Sequence, residues 1–375
     1  MIAPEVGPPG GTEAQAGRLA EAMARSGWDV TVIARRCEVP GVRWIRIRGP
    51  CRPAVVAFPW FFAAASVAAR RHGRGITHTT GAVASVKADL ATVHFCHAAY
   101  LSGGHPSRAR RRDPAHRLNA WAAERLGALA ERLSYRPGAA RALVAVSSGL
   151  AREVDSHFPA MAPALCVIPN GVDREAFRPD PEARARVRAP LGVADEELVA
   201  LFVGGDWARK GLDVAVAALA GAPEWRLLVA GDGDGRGLAE FAARRGVADR
   251  VIHAGPVERP ASYYAAADAF VLPTAYETFS LVAYEAAAAG LPLVCTRASG
   301  IEDILRDGET GFEVPRDATA IAQKLVALGR DPVLRGRLGA AARASTAGYD
   351  WADVMTAYGR LFAELAASEE ATSRR

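Results

Sequence analysis

Residues 273–285 read Pro273-Thr-Ala-Tyr-Glu277-Thr-Phe-Ser280-Leu-Val-Ala-Tyr-Glu285. An apolar run at 269–272 precedes this stretch and indicates a buried strand. Ser280 is a suitable N-cap, and residues 281–289 are good or tolerable helix formers. Gly290 then supplies the C′ stop, and Pro292 forbids continuation of the helix. The stretch therefore predicts a strand, a loop and a helix in succession.

Two carboxylates lie close to the expected start of this helix, Glu277 in the loop and Glu285 on the second turn. The first-turn amides of a helix have no partners within the helix and attract an anion. Carboxylates accept hydrogen bonds from hydroxyl groups, so the pair favours a phosphate-linked polyol as the ligand. The alternative interpretation is a solvated loop glutamate and a glutamate on the helix surface.

The composition is that of a globular protein with two domains. A length of 375 residues exceeds what one ordinary core holds. Half of the residues are apolar and 23% are charged, and a net charge of +5 weakly favours anionic ligands. Only three of the 46 lysines and arginines are lysines, a compositional bias rather than an adaptation to nucleic acid. Each lysine, Lys210 among them, is therefore a candidate for a chemical requirement.

The cysteines and the apolar segments indicate a reduced, cytosolic compartment. Five cysteines are scattered without a CxxC pair or metal-ligand spacing, which argues against disulfides and against a metal site. Residues 1–4 do not begin a signal peptide. The most apolar run, at 54–69, is interrupted by Pro59 and is too short to span a bilayer. We interpret it as a buried or interfacial helix.

The first half of the chain begins as a βαβ unit. Residues 1–3 resemble the end of a strand, and a glycine-rich loop at 7–13 leads into a helix predicted at 12–26. A buried strand is expected at 29–34. Because so little of the first strand is present, we expect the native start codon to lie several residues upstream of Met1.

The region 102–136 is the most basic part of the chain. Its arginines are Arg108, Arg110, Arg111, Arg112, Arg117, Arg125, Arg132 and Arg136. A helix that starts at Asp113-Pro114 carries apolar residues at helical spacing, namely Leu118, Trp121, Leu126, Leu129 and Leu133. One interpretation is the solvated face of an ordinary amphipathic helix. The other is a contact with an anionic acceptor or an anionic lipid surface.

Strands and helices alternate in both halves of the chain. This alternation predicts two doubly wound α/β domains with the ligand in the cleft between them. The turn cluster at 169–173 and the prolines that follow it indicate a linker. The predicted segments are a first domain at 1–168, a linker at 169–181, a second domain at 182–350 and a last helical segment at 351–375 that packs back on the first domain.

Five motifs follow one another in a diagnostic order. They are Gly10-Gly11, Pro169-Asn170-Gly171-Val172-Asp173, Arg209-Lys210-Gly211, Gly231-Asp232-Gly233 and the Glu277–Glu285 stretch. In this order they resemble a retaining glycosyltransferase of the GT-B fold, from family four, which includes lipopolysaccharide-core glucosyltransferases and phosphatidylinositol mannosyltransferases. The resemblance covers nearly the whole chain. It implies two Rossmann-like domains that face each other across a cleft, the first for the acceptor and the second for the nucleotide sugar.

The resemblance implies roles for residues of the second domain. Glu277 would contact hydroxyls of the donor sugar, and Glu285 would hold the ribose. Lys210, with Arg209 beside it, would neutralise the diphosphate, because this leaving group needs charge stabilisation. The backbone amides of three consecutive residues would bind the distal phosphate: Phe279, Ser280 and Leu281.

Glycines complete the implied nucleotide site. Gly10 and Gly11 would let the backbone approach the phosphates without a Cβ in the way. Gly231 and Asp232, together with Val257, would flank the base. A dinucleotide site is the alternative for the Gly-x-Gly-x-Gly pattern at 231–235, but the rest of that pattern is missing.

His94 ends the strand predicted at 88–94, and family relatives have a histidine at this position near the reacting centre. A histidine satisfied within the core is the alternative, and His97 is a second candidate. The chain departs from some relatives in one place. They carry an arginine well before the lysine, where residues 205–207 here are Gly-Asp-Trp, so we expect Arg209 to act instead.

The resemblance implies that the chain is a hexosyl- or other glycosyltransferase. A sugar would pass from a UDP- or GDP-linked donor to a hydroxyl of a glycan, a lipid-linked or a small-molecule acceptor, with retained configuration by a front-face route. No metal and no cofactor is expected, because Lys210, Arg209 and helix amides supply the charge. Alternatives are a sugar-nucleotide epimerase or hydrolase on the same fold, or an inactive partner of another transferase. We expect a cytoplasmic protein with no nucleic-acid partner, in peripheral contact with an anionic membrane through residues 108–136.

Overall fold

The computed structural model describes residues 1–7, 11–73, 75–103, 114–257 and 259–373. The chain divides into two compact units: Met1–Gly171 with Trp351–Arg375, and Val172–Asp350. All strand pairs described in either unit are parallel, and helices connect most of them. The predicted α/β fold class is therefore confirmed.

The first unit contains eight described strands and five helices before the division at Gly171. The strands are β1 (Glu5–Val6), β2 (Thr31–Ala34), β3 (Arg36–Cys37), β4 (Arg43–Arg46), β5 (His78–Thr80), β6 (Ala88–Val93), β7 (Ala140–Ala145) and β8 (Leu165–Val167). The helices are α1 (Gly11–Arg25), α2 (Ala54–His72), α3 (His97–Ser102), α4 (Pro114–Ser134) and α5 (Ser148–His157).

A single residue joins two parts of the sheet in the first unit. Strands β5, β6, β7 and β8 pair in that order, and β2 pairs with β4. Ile2 forms parallel bridges to Ile33 of β2 and to Thr79 of β5, so it lies where a strand would connect the two parts. This is the short strand end that residues 1–3 predict. Ile2 is also 2% exposed and belongs to the core.

The second unit contains a six-stranded sheet with helices between its strands. The strands are β9 (Leu198–Val203), β10 (Trp225–Ala230), β11 (Val251–Gly255), β12 (Ala269–Leu272), β13 (Leu293–Cys295) and β14 (Gly311–Glu313). The helices are α6 (Pro181–Arg188), α7 (Trp207–Lys210), α8 (Leu212–Ala218), α9 (Gly235–Arg244), α10 (Pro260–Ala265), α11 (Leu281–Ala288), α12 (Ile301–Ile304), α13 (Ala318–Arg330) and α14 (Pro332–Ser345). Helix α15 (Trp351–Ser373) follows and belongs to the first unit.

The strand order in the second unit is β11-β10-β9-β12-β13-β14. This is the 3-2-1-4-5-6 order of a doubly wound dinucleotide-type fold, in which the chain reverses direction across the sheet between its first and fourth strands. Ligands of such folds bind at this switch point, outside the carboxyl ends of the strands. The loops that follow β9 and β12 are therefore the place to look for a site.

The division between the units differs from the predicted linker. Residues 172–181, assigned to a linker at 169–181, belong with the second unit. Phe177 is buried there, and its ring lies edge-on to Tyr264 with 5.3 Å between the ring centroids. Asp180 caps α6 by accepting a hydrogen bond from the amide of Ala183. Pro181, the last residue of the predicted linker, is the first residue of α6.

Helix α15 packs within the first unit. Tyr358 and Phe362 belong to the same apolar cluster as Leu90 and Val144 of the sheet. The hydroxyl of Tyr358 also lies 3.0 Å from Oγ1 of Thr92. The final helix is thus anchored to strands that precede it by more than 200 residues in the sequence.

Helix α4 buries a different face from the one that its apolar spacing suggests. Gly127, Ala128, Ala130 and Glu131 are buried, whereas the large apolar side chains of Leu118, Trp121, Leu129 and Leu133 are exposed. Small residues allow α4 to pack closely on its neighbours, so its larger residues face outward. Arg108, Arg110, Arg111 and Arg112 lie outside the described residues. Among the helices of the described ranges, none has the length and hydropathy needed to cross a bilayer.

Candidate active site

The loops after β9 and β12 bring two cations and a carboxylate together at the switch point. The loop after β9 leads into α7, whose last two residues are Arg209 and Lys210. Gly204 in this loop has a φ of 142°, and a Cβ there would lie 2.5 Å from Cδ of Lys210. Glycine is therefore required for Lys210 to fold back over the end of the strand.

Glu277 lies in the loop after β12 and is only 8% exposed. Its Oε1 accepts hydrogen bonds from NH1 of Arg209 at 2.9 Å and from Nζ of Lys210 at 3.2 Å. The hydroxyl of Thr274 lies 3.2 Å from the same oxygen. Within the described ranges, Oε2 has no protein partner. One oxygen of Glu277 thus binds the cations, and the other is available to a ligand hydroxyl.

The two cations keep Glu277 ionised. Burial alone would raise the pKa of this carboxyl, but Lys210 and Arg209 outweigh burial and hold the pKa below its usual value. Arg209 also pairs with Asp206 at 3.2 Å, and the side chain of Asp206 is 47% exposed. Lys210 has N–H donors beyond its bond to Glu277, so the cluster can bind an anion as well as a hydroxyl.

Ser280 adopts an unusual backbone conformation before α11. Its φ of 67° and ψ of 65° are left-handed, and among the described residues it is the only non-glycine with a positive φ. The prediction of Ser280 as the N-cap position is confirmed, but its hydroxyl makes no capping hydrogen bond. The Oγ atom is buried without a partner in the described structure. Strain and an unsatisfied hydroxyl at one residue are typical of a ligand site.

Aromatic stacking and a glycine support this turn. The ring of Phe279 stacks on Tyr284 with 4.1 Å between the centroids and 14° between the planes. A Cβ on Gly300 would lie 2.4 Å from Cα of Phe279, so the two backbones are in close contact. The hydroxyl of Tyr284 donates a hydrogen bond to the carbonyl of Gly300 at 2.9 Å. The first-turn amides that begin at Leu281 are thereby held in a fixed position at an anion-binding helix end.

Glu285 has a partner that the sequence does not reveal. The hydroxyl of Tyr264 donates a hydrogen bond of 2.6 Å to Oε2 of Glu285. Tyr264 is fully buried, and burial together with Glu285 raises its pKa well above the ordinary value. It therefore remains a protonated donor that orients the carboxylate. Tyr264 was missed because α10, which carries it, is remote from Glu285 in sequence.

The glycine loop after β10 lies beside the loop after β9. Gly231 has a φ of 139°, and a Cβ there would meet the carbonyl oxygen of Gly204 at 2.4 Å. Asp232 is exposed, and Val257 is half-buried. A Cβ on Gly233 would lie 2.5 Å from the ring of Trp207, so this ring covers the loop. The predicted base-side residues thus flank a loop that adjoins the cation cluster.

In the first unit, the expected site residues are spread over two loops. Gly11 begins α1, and Gly10 lies outside the described residues. His94 directly follows β6 and lines a small cavity together with Gln15 and Asn170. Burial lowers the pKa of His94 to about 4, so its imidazole is neutral at pH 7. His97 lies three residues further on, and its Nδ1 is 2.8 Å from Oε1 of Glu131, a residue that sequence analysis did not select.

The described ranges contain no group of three or more histidine, cysteine, aspartate or glutamate residues that could hold a metal ion. Cationic side chains and backbone amides are the charge-stabilising groups that the second unit does present, at Arg209, Lys210 and α11. Their chemistry fits an anionic ligand with hydroxyl groups.

Two family models match the chain. The model described as Glycosyltransferase Family 4 matches residues 9–176, and the model described as Glycosyl transferases group 1 matches residues 197–331. Each match falls largely within one of the two structural units. Together they account for most of the chain.

Curated relatives include D-inositol 3-phosphate glycosyltransferases. The protein of this name from Streptomyces scabiei is 37% identical over 230 residues, which are 57% of this chain and 51% of the relative. The protein from Nocardia farcinica is 34% identical over 293 residues, which are 70% of this chain and 64% of the relative. The chain therefore spans between about half and two thirds of the length of the curated relatives that it matches.

Solved structures share the fold. WaaG, a glycosyltransferase involved in lipopolysaccharide biosynthesis, matches with a TM-score of 0.81 and 20% identity, over 96% of this chain and 98% of WaaG. Anabaena HepE in complex with UDP-glucose matches with a TM-score of 0.69 and 19% identity, over 99% of this chain and 98% of HepE. These likenesses confirm the predicted GT-B fold class.

Proposed function

We propose that this chain, a member of family 4 of the glycosyltransferases, transfers a sugar from a nucleotide diphosphate sugar to an acceptor hydroxyl with retention of configuration. The observation that carries the proposal is the cluster of Arg209, Lys210 and Glu277 at the switch point of the second unit. It combines what a nucleotide sugar requires: positive charge for the diphosphate and a carboxylate oxygen for a sugar hydroxyl.

The leaving group is stabilised by cations and by amides. The ammonium group of Lys210 has three N–H donors, and within the described ranges Glu277 is the one hydrogen-bonded partner of this group. Its remaining donors bind the diphosphate as negative charge develops there. The amides of Phe279, Ser280 and Leu281 take the distal phosphate, and the unpartnered hydroxyl of Ser280 supports this role. Because these groups are fixed before the reaction, they stabilise the transition state without reorganisation.

Two carboxylates orient the donor. Oε2 of Glu277 accepts a hydrogen bond from a hydroxyl of the sugar, while its other oxygen stays with the cations. Glu285, oriented by the hydroxyl of Tyr264, binds the ribose. Gly231, Asp232 and Val257 flank the base. The donor is thereby held at three points along its length, which restricts the reacting carbon to a productive geometry.

The reaction follows a front-face route. The bond between the anomeric carbon and the diphosphate oxygen breaks, and the acceptor oxygen bonds to the same face of that carbon. The acceptor proton passes to the leaving phosphate oxygen, so no side-chain nucleophile is required. Arg209 and Lys210 supply the charge that a metal ion provides in other transferases, and the proposed reaction needs neither metal nor cofactor.

A uridine nucleotide is the first donor to test, because the related fold of HepE holds UDP-glucose. The names of the curated relatives place a phosphorylated polyol among the acceptors to test. We expect UDP-, GDP- or dTDP-glucose to raise the melting temperature, with the largest shift for UDP-glucose and the same shift in EDTA. A thermal-shift screen at equal ligand concentrations measures this. No shift with any donor, or a shift abolished by EDTA, would contradict the proposal.

We also propose that the basic region contacts an anionic membrane at its cytoplasmic face. Helices α2 and α4 pack together, with Asn119 accepting a hydrogen bond from the amide of Val55 at 3.3 Å. Both expose tryptophans: Trp60 on α2 is 53% exposed and Trp121 on α4 is 52% exposed. Arg125 lies over the ring of Trp121 at 4.8 Å. Exposed apolar side chains interleaved with arginines are the composition of an interfacial helix on anionic lipid.

A further inference from the structure

A buried carboxylate holds the imidazole of His97 in the first unit. Oε1 of Glu131 lies 2.8 Å from Nδ1 of His97 and 2.7 Å from its backbone nitrogen. Oε2 accepts a hydrogen bond from the amide of Ala98 at 3.0 Å. Glu131 is on α4 and is only 1% exposed, whereas His97 begins α3, three residues after His94. The carboxylate of Glu131 thus accepts hydrogen bonds from three N–H groups.

This contact fixes the tautomer of the ring. An ionised carboxylate can only accept hydrogen bonds, so the proton of the neutral imidazole resides on Nδ1. The lone pair is then on Nε2. Within the described ranges Nε2 has no hydrogen-bond partner, and the side chain of His97 is 34% exposed. The ring therefore has one atom, Nε2, that can accept a hydrogen bond from a ligand.

Packing fixes the position of the ring as well as its tautomer. A Cβ on Gly127 of α4 would lie 2.5 Å from Cδ2 and 2.6 Å from Nε2 of His97, so the ring rests on the backbone of this glycine. The ring of Phe95 meets it edge-on with 4.8 Å between the centroids. A side chain held from two sides, with one polar atom unpartnered, is arranged as a ligand-binding group is.

The other histidines of this sheet are placed differently. His78 is 2% exposed, and its Nε2 lies 2.8 Å from Oγ1 of Thr92 within the core. Burial lowers the pKa of His78 to about 3 and that of His94 to about 4. Neither has a carboxylate within hydrogen-bond distance in the described ranges. Within the described ranges, His97 is the one of the three that combines a carboxylate partner with a partly exposed side chain.

We propose that Glu131 is a positioning residue, which holds His97 so that Nε2 accepts a hydrogen bond from a substrate hydroxyl at the carboxyl edge of the first unit's sheet. This inference rests on the proposed function, since it assumes a hydroxyl-bearing substrate. His97 transfers no proton in this role, because the acceptor proton passes to the leaving phosphate. Parallel α/β sheets bind ligands at this edge, and His97 follows the carboxyl end of β6.

The rival interpretation is that Glu131 only caps α3. Glu131→Gln distinguishes the two roles, because the amide keeps the volume and one acceptor oxygen but can also donate to Nδ1 of His97. Three variants are compared with the unmodified chain: His97→Gln, Glu131→Gln and the double variant. Glu21→Gln, a change of a half-exposed carboxylate in the same unit, is the matched control. Melting temperatures confirm that each variant is folded.

The first readout is the tautomer of His97 by ¹⁵N NMR of histidine-labelled protein. The His97→Gln variant identifies the signal among the eight histidines. We expect an unprotonated Nε2 in the unmodified chain and in Glu21→Gln. In Glu131→Gln the population should shift toward protonated Nε2. A protonated Nε2 in neutral His97 of the unmodified chain, or a tautomer that Glu131→Gln does not change, would overturn the inference.

The second readout is release of UDP from UDP-glucose. We expect kcat to fall roughly tenfold in His97→Gln and by a similar factor in Glu131→Gln, the loss of one hydrogen bond to substrate. The double variant should lose no more than either single variant, because Glu131 acts through His97. Independent losses that multiply, or unchanged kcat in both single variants, refute the positioning role. If the unmodified chain releases no UDP, the proposed donor is refuted. The ¹⁵N NMR measurement of the His97 tautomer is then the test of the positioning role of Glu131.

Discussion

At the scale of single residues, charge and backbone conformation at the second unit's site depend on a few side chains. Glu277 is buried, yet Arg209 and Lys210 keep it ionised. Removing the carboxylate would leave the poorly solvated ammonium of Lys210 without its counter-charge and Arg209 with Asp206 alone. The stability of the fold and the function of the site are therefore coupled at Glu277.

This coupling predicts how stability depends on pH. A carboxyl whose folded pKa is depressed stabilises the fold above its unfolded value of about 4.3, and this contribution is lost as pH falls through the folded pKa. At pH 7, Glu277→Gln should destabilise the fold by about 3 kcal/mol. The difference from the unmodified chain should narrow as pH falls below about 4.

Melting temperatures between pH 2 and 7 measure this effect. Glu240→Gln is the matched control, because its partner Arg236 has a side chain that is 91% exposed and the pair contributes little. Its curve should follow that of the unmodified chain. A difference in melting temperature between Glu277→Gln and the unmodified chain that stays constant from pH 2 to 7 would contradict this prediction. It would show that the stabilisation by Glu277 does not depend on the ionisation of its carboxyl.

The sequence predicts which residues of the second unit meet, but not how they are held. Glu277 and Lys210 were selected from the motifs, and both lie in the cluster. The left-handed backbone of Ser280 was not predicted, because serine is ordinarily an N-cap that bonds through its hydroxyl. Tyr264 and Glu131 were missed because a partner from another element leaves no local pattern. The conformation of Ser280 and the partners of Glu285 and His97 are thus set by tertiary contacts.

At the scale of elements, α4 shows the limit of periodicity as a guide. Its start was predicted at Asp113-Pro114, and the helix forms over Pro114–Ser134. The buried face, however, consists of small residues such as Ala128 and Ala130 together with Glu131. Periodicity identifies a helix, whereas the volume that its neighbours leave decides which side is buried. The exposed tryptophan and leucines are the consequence.

This exposure predicts membrane binding that depends on two side chains. The double change Trp121→Ser and Leu129→Ser should weaken binding to vesicles that contain phosphatidylglycerol by about tenfold, because less apolar surface enters the interface. Flotation with vesicles of increasing anionic lipid measures the partition. Neutral phosphatidylcholine vesicles should bind both proteins poorly.

Val333→Ser is the control for this experiment. Val333 is 79% exposed and lies in the second unit, away from α2 and α4 in the chain. Its substitution should leave vesicle binding unchanged. Equal binding by the unmodified chain and the Trp121/Leu129 variant, or equal binding to neutral and anionic vesicles, would contradict the proposed contact.

At the scale of the whole molecule, the regular alternation of strands and helices was sufficient to predict two doubly wound units. The strand order of the second unit was not predicted, because the alternation requires crossover connections but is compatible with more than one order of strands. The boundary was less predictable. Residues 172–181 contain turn-forming prolines, yet Phe177 is buried against Tyr264 within the second unit. Burial of one aromatic side chain outweighed the local turn signals.

In the proposed reaction Lys210 binds the diphosphate of the nucleotide sugar, and calorimetric titration with UDP measures this contact. We predict that Lys210→Ala weakens UDP binding by about 10- to 100-fold, the loss of a charge-assisted hydrogen bond. Lys87→Ala, a change of an exposed lysine in the first unit, should bind UDP as the unmodified chain does. Equal affinity for UDP in the unmodified chain and in folded Lys210→Ala would contradict the claim.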